Sequence, residues 1–134
     1  MMKGQVSIEY LIVTAFAFLL ALPVLIIFYG QSYAITDDIG SAQAIKIASE
    51  IVEAANKVYY LGTPSKKTIV VYMPNNVKDV TFQGKSVIIT LGSSAGDYEV
   101  VKWSVANLTG NIGSFSGVHR IEVKARLLDV EITE

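Results

Sequence analysis

Residues 1–30 read MMKGQVSIEYLIVTAFAFLLALPVLIIFYG, and the rest of the chain is organised around them. From residue 10 to residue 29 the stretch is apolar except at Thr14 and Pro23. In a helix, twenty residues cover about 30 Å, which is the thickness of a bilayer's hydrocarbon core. Lys3 precedes the run, and because positive charge stays in the cytoplasm the remainder of the chain is expected outside. The stretch therefore predicts a single membrane-spanning helix.

Two simple interpretations of this N-terminus explain only part of it. A cleavable secretory signal would use the small-x-small site at residues 32–34, but its apolar core is about 7–15 residues, shorter than this run. A plain membrane anchor explains the length of the run and leaves Glu9 at its edge unexplained. A carboxylate in or near a membrane span usually has a partner or a function.

A third interpretation takes residues 3–11, KGQVSIEYL, as one motif. The motif resembles the class III signal peptide of archaeal type IV pilins, and the matching positions are Lys3, Gly4, Gln5, Ser7, Glu9 and Tyr10. The resemblance implies that a prepilin peptidase cuts between Gly4 and Gln5 and that the apolar run stays on the mature protein. It also implies that identical subunits polymerise into a pilus with the help of an assembly ATPase and a membrane platform protein.

The chemistry of these residues agrees with that implication. Gly4 carries no side chain to obstruct a protease and lets the scissile bond leave helical geometry. Cleavage would create an α-amine on Gln5, which is mostly protonated at neutral pH. In a filament, the amine of one subunit would meet Glu9 of a neighbour, and the pair would set the axial register.

Composition excludes several classes of function. The chain has 134 residues, no internal repeat and a formal net charge of −1, so one folded unit and no nucleic-acid partner are expected. It has no cysteine and one histidine, which excludes disulfides, cysteine zinc sites and thiol nucleophiles. No catalytic constellation, metal site or cofactor motif is visible, and His119 is expected on the surface at a strand end.

The pattern divides the chain into a leader over 1–4, a helix over 5–62 and a β head over 63–134. Within the helix, 5–30 would span the membrane or form the filament core, and Pro23 is expected to kink it. Residues 31–62 are amphipathic, and Gly62 and Pro64 mark the end. The apolar stripe recurs at spacings of three and four, with members Ile35, Ile39, Ala42, Ala44, Ala48, Ile51, Ala55 and Val58.

After residue 63 the period changes to two, which predicts a small antiparallel β-sheet. The apolar runs 68–73 and 87–91 are expected to be strands covered on both faces. Leu127 and Leu128 reverse the parity of the last segment, which predicts a bulge or bend between two short strands; a helix over 118–132 is the alternative.

Several single residues carry further expectations. Trp103, Tyr98 and Phe115 are expected in the core of the head, with an exposed adhesive patch as the alternative, and the adjacent tyrosines 59 and 60 are expected to seat the helix on the sheet. Asn107 begins the sequon Asn-Leu-Thr in a predicted polar loop over 106–117, and on an outward-facing domain it is a possible N-glycosylation site.

These observations predict an α+β, pilin-like fold with one long N-terminal helix and a C-terminal antiparallel β head. The predicted function is that of a structural, non-enzymatic subunit of an archaeal adhesion pilus. It would be a single-pass membrane protein before assembly and part of an extracellular filament afterwards. The alternative is a membrane-tethered binding protein that never polymerises, and an archaellin is a weaker third option because the motif resembles the pilin leader.

Overall fold

One helix of 60 residues, α1, runs from Met2 to Leu61 and precedes seven strands. The computed structural model of the chain describes residues 2–134, and their side chains from residue 4 onward. The strands are β1 (Lys66–Met73), β2 (Val77–Gln83), β3 (Ser86–Ser93), β4 (Gly96–Trp103), β5 (Asn107–Asn111), β6 (Gly117–Ala125) and β7 (Asp129–Thr133). The predicted α+β fold, a long N-terminal helix followed by a small antiparallel-rich head, is confirmed.

The helix continues through Pro23 without interruption and ends at Leu61, one residue before the predicted end at 62. Gly62 takes the left-handed conformation, with φ of 74°, and its N–H donates to the carbonyl of Val58 at 3.0 Å. A glycine in this conformation closes a helix at no steric cost. A kink at Pro23 stays a prediction.

The chain folds as two units, one up to Thr36 and one from Asp37 onward. In the second unit the helix contributes a buried face on which every member is at most 4% exposed: Ala44, Ile47, Ala48, Ile51, Ala54, Ala55 and Val58. The prediction that Tyr59 and Tyr60 seat the helix is wrong, because they are 40% and 72% exposed. At 100° per residue they are turned away from the face that carries Val58.

The strands form two sheets. The first has the order β1-β6-β7-β5 and the second has the order β2-β3-β4. All neighbouring pairs are antiparallel except β5 and β7, which run parallel. β2, β3 and β4 form an antiparallel meander. Both sheets contribute to one core together with the buried face of α1.

β1 is covered on one face only, which corrects the expectation from its apolar sequence. Val71 and Met73 are buried, whereas Val70 and Tyr72 are 57% and 59% exposed. The apolar run therefore does not mark a strand buried on both faces. Its outer apolar residues remain in solvent.

β6 and β7 form an antiparallel hairpin, so the predicted bend is confirmed and the helical alternative is wrong. Leu127 and Leu128 lie in the connection and are 89% and 85% exposed. Their position in the turn explains the change of parity, because residues on either side belong to different strands.

The aromatic core predicted for the head is mostly wrong. Trp103 and Phe115 are exposed, and of these three residues only Tyr98 packs partly against the core. The Tyr98 hydroxyl donates to the carbonyl of Asp37 at 3.4 Å. Aliphatic residues fill the core instead, and Phe82 and Tyr98 pack partly against it.

Candidate functional site: the apolar N-terminal helix

The first unit of the chain is a helix with apolar side chains exposed in every direction. From Val6 to Ile35 its large apolar residues are 54–72% exposed, and no side chain described between residues 4 and 36 is buried. The helix is long and apolar enough to cross a membrane. Each such side chain gains about 1.5–3 kcal/mol on leaving water. Lipid or other apolar helices are therefore the environment that this surface fits.

The motif residues lie on the first turns of this helix. Gln5 and Glu9 are four residues apart, which places them on the same side of the helix, one turn from each other. Glu9 has no ion pair or hydrogen bond within the described part of the chain. Ser7 and Tyr10 are exposed as well. The structure thus leaves the carboxylate of Glu9 available to a group from outside the chain.

Gly4 is helical, and a β-carbon added to it would meet no atom within 4 Å. Packing inside this chain therefore does not require glycine at position 4. The Gly4–Gln5 bond, where cleavage is predicted, lies inside the helix, and the side chain of Lys3 lies outside the described residues.

Pro23 lies in the middle of the apolar surface beside a groove of 590 Å³. The groove is lined by Ala15, Phe18, Leu19, Leu22, Pro23, Ile26 and Ile27. Because proline has no N–H, the carbonyl of Leu19 lacks its usual helical partner. Grooves of this kind receive the side-chain ridges of a neighbouring helix when helices pack.

In the head, Asn107 lies at the first residue of β5 rather than in the predicted polar loop, and it is exposed. The Thr109 hydroxyl of the same sequon donates to Oδ2 of Asp129 at 3.0 Å. Glycosylation at Asn107 stays a prediction.

His119 is buried, so its predicted surface position is wrong. Its Nε2 donates to the carbonyl of Phe115 at 2.7 Å. Its Nδ1 lies 2.8 Å from Oε1 of Glu134. The parity of β6 was the available signal, because His119 shares a face with Ile121 and Val123.

The contacts around the buried His119 have a structural role in the head. The pKa of Glu134 lies below its usual value because the Gly113 N–H donates to its carboxylate at 2.9 Å and His119 lies beside it. The described residues contain no group of three metal-ligating side chains. These contacts therefore tie the β5–β6 connection to β7.

Comparison of the chain with family models, curated proteins and solved structures finds no significant match.

Proposed function

We propose that the protein is a structural subunit of an archaeal type IV adhesion pilus. It would be cut before Gln5 by a prepilin peptidase and would polymerise through its N-terminal helix. The observation that carries the proposal is the position of the leader-like motif at residues 3–10. It lies on the first turns of a helix whose large apolar side chains are exposed from Val6 to Ile35.

The energetics of such a helix suit storage in a membrane followed by transfer into a filament. Lipid and neighbouring helices are about equally apolar, so the transfer is nearly neutral for buried area. Helix packing and polar pairs would then decide how the subunits associate. Glu9 is the acid in position to form such a pair, with the α-amine created on Gln5 of a neighbouring subunit. An assembly ATPase and a membrane platform protein would drive the transfer.

The test compares Glu9→Ala with Glu53→Ala in the full chain. Both acids lie on α1, and Glu53 is an exposed residue of the second unit. We expect Glu9→Ala to abolish filaments in material sheared from cells while the protein stays in the membrane with its head folded. Glu53→Ala should form filaments normally.

N-terminal sequencing of the sheared filaments should begin at Gln5. Filaments of normal yield from Glu9→Ala, or mature protein that has lost residues 1–34, would contradict the proposal.

The exposed aromatic side chains of the head favour a second candidate. Trp103 is 73% exposed and Phe115 is 62% exposed, and exposed aromatic residues are common at binding surfaces. A membrane-tethered binding protein that never polymerises would use them and would be insensitive to Glu9→Ala. It would stay in the membrane fraction, and sheared material would contain none of it.

A further inference from the structure

Four strands of the head lie at sheet edges: β1 and β5 in the first sheet, and β2 and β4 in the second. β2 and β5 contact each other, whereas the outer edges of β1 and β4 pair with no other strand of the described chain. Their outer N–H and C=O groups are free to bind another extended chain. Edge strands in natural proteins usually carry devices that prevent such pairing, and charged side chains are the commonest.

β4 has this protection and β1 lacks it. β4 carries Asp97, Glu99 and Lys102 along its length. β1 carries Lys66 and Lys67 at its first two positions, followed by six uncharged residues, TIVVYM, with no proline or bulge. An uncharged edge of this length and β-propensity favours pairing with another strand.

Open space lies beside the unprotected part of β1. A cleft of 310 Å³ separates Val70 and Tyr72 from the helix residues Gln43, Lys46 and Glu50. Glu50 lines this space with a side chain that is 39% exposed, and its Oε1 lies 3.9 Å from Nζ of Lys46, whose side chain is 78% exposed. An exposed ion pair at this distance contributes little to stability. The carboxylate can therefore also attract a second basic group that enters the cleft beside β1.

The two lysines at the start of β1 favour antiparallel pairing with β1 of a second copy. A parallel pair would place the lysines of two copies directly opposite each other, which is destabilising. An antiparallel pair centred on Ile69 separates them. It places Thr68 opposite Val70, Lys66 opposite Tyr72 and Lys67 opposite Val71.

Lys67 supplies the charge complementarity in this register. It has the parity of the buried residues Val71 and Met73 but is exposed, because nothing covers its end of the strand. In the antiparallel pair its ammonium group would enter the cleft of the other copy, which Glu50 lines. The same contact occurs twice, once on each side of the two-fold axis.

We propose that two copies of this chain bind each other through their β1 edges. The contact forms an antiparallel ladder centred on Ile69, with Lys67 of each copy directed at Glu50 of the other. Such a contact is isologous and closes on two copies. Because it closes on two copies, it cannot by itself extend a filament. If the proposed function holds, the contact joins heads of two neighbouring filaments and would bundle them side by side.

The chain has no cysteine, so engineered cysteines give a clean test. The full-length variants Thr68→Cys and Val70→Cys are co-expressed and mildly oxidised, because the proposed register places these residues opposite each other at disulfide distance. The control replaces Val70→Cys with Val118→Cys. Val118 is a valine on the neighbouring strand β6 and is 68% exposed, compared with 57% for Val70. We expect a disulfide-linked dimer from the first combination and none from the control. No dimer from the first combination, or equal dimer from both, would overturn the proposal.

Exchanging the charges of Lys67 and Glu50 tests the same register through the strength of dimerisation. Lys67→Glu and Glu50→Lys should each weaken dimerisation of the full chain in detergent about 2- to 5-fold, measured by sedimentation. The double variant should restore it, because the attraction is rebuilt with reversed signs. Additive weakening in the double variant would rule out the Lys67–Glu50 contact.

The experiments distinguish failure of the edge contact from failure of the proposed function. Filaments that form and stay separate, with no cross-link between positions 68 and 70, would end the edge contact and leave the proposed function intact. A cross-linked dimer from a protein that never forms filaments would keep the contact and end the proposed function.

Discussion

Two glycines of the head share a backbone conformation and differ in their surroundings. Gly110 has φ of +130° and Gly96 has φ of +129°, a region that other residues rarely adopt. A β-carbon at Gly96 would meet no atom within 4 Å, whereas one at Gly110 would collide with the backbone carbonyl of Ile132. Gly110 lies on β5 opposite Ile132 of β7, so the parallel pair of the sheet depends on it.

We therefore predict that Gly110→Ala destabilises the head more than Gly96→Ala does. Both variants bear the same conformational cost, and the collision at Gly110 adds about 1–3 kcal/mol, as overpacking does elsewhere. Thermal and urea unfolding of the two variants would measure the difference. Equal destabilisation would mean that the β5–β7 pair adjusts to the extra carbon.

Asn56 shows how a residue's role can depend wholly on distant partners. Its Oδ1 accepts hydrogen bonds from the Ser104 hydroxyl at 2.7 Å and from the Val105 N–H at 2.9 Å. These bonds fasten the helix to the chain that follows β4. Nothing local to Asn56 in the sequence distinguishes it from a solvated helix residue.

At the scale of elements, the second half of α1 is held by small and aliphatic residues. The alanines at 44, 48, 54 and 55 let the helix approach the sheets closely, and Ile47 and Ile51 are the largest side chains in this face; Ile51 is the more buried of the two. Its exposed fraction is 0%. The tyrosines that follow remain outside this contact.

We predict that Ile51→Ala lowers the free energy of unfolding of the head by about 2–5 kcal/mol, because it leaves a cavity between helix and sheets. Tyr60→Ala serves as the control, and as a surface substitution it should change stability by about 0.5 kcal/mol or less. Chemical denaturation of both variants tests this. If the loss at Tyr60 were the larger, the tyrosine would have to pack against the head after all.

At the scale of the whole molecule, the contacts that stabilise the head are made by residues from Asp37 onward. Every buried residue of the described chain lies at position 40 or later. The first tertiary contact of the second unit is made by Asp37, whose carboxylate accepts from the Ser94 hydroxyl at 2.9 Å and from its N–H at 3.3 Å. The first unit contributes apolar surface but no buried core.

We predict that a fragment of residues 37–134 folds and unfolds at the same midpoint as the head of the detergent-solubilised full chain. A fragment of residues 45–134 lacks Asp37 and the buried Ala44 and should unfold at a lower temperature. Circular dichroism during heating would measure both. A disordered 37–134 fragment, or identical midpoints for the two fragments, would show that the division lies elsewhere.

The sequence by itself determined the membrane-length apolar helix, its end near Gly62, the change to strands after residue 63 and the bend at Leu127 and Leu128. These features depend on local length, periodicity and turn chemistry, so neighbouring residues suffice to predict them. Only the tertiary structure decided the division into two sheets, the parallel β5–β7 pair, the burial of His119 and the exposure of Trp103. The physical reason is that strand pairing joins residues far apart in the chain. Which face of a strand becomes the inner one depends on partners that local patterns do not specify.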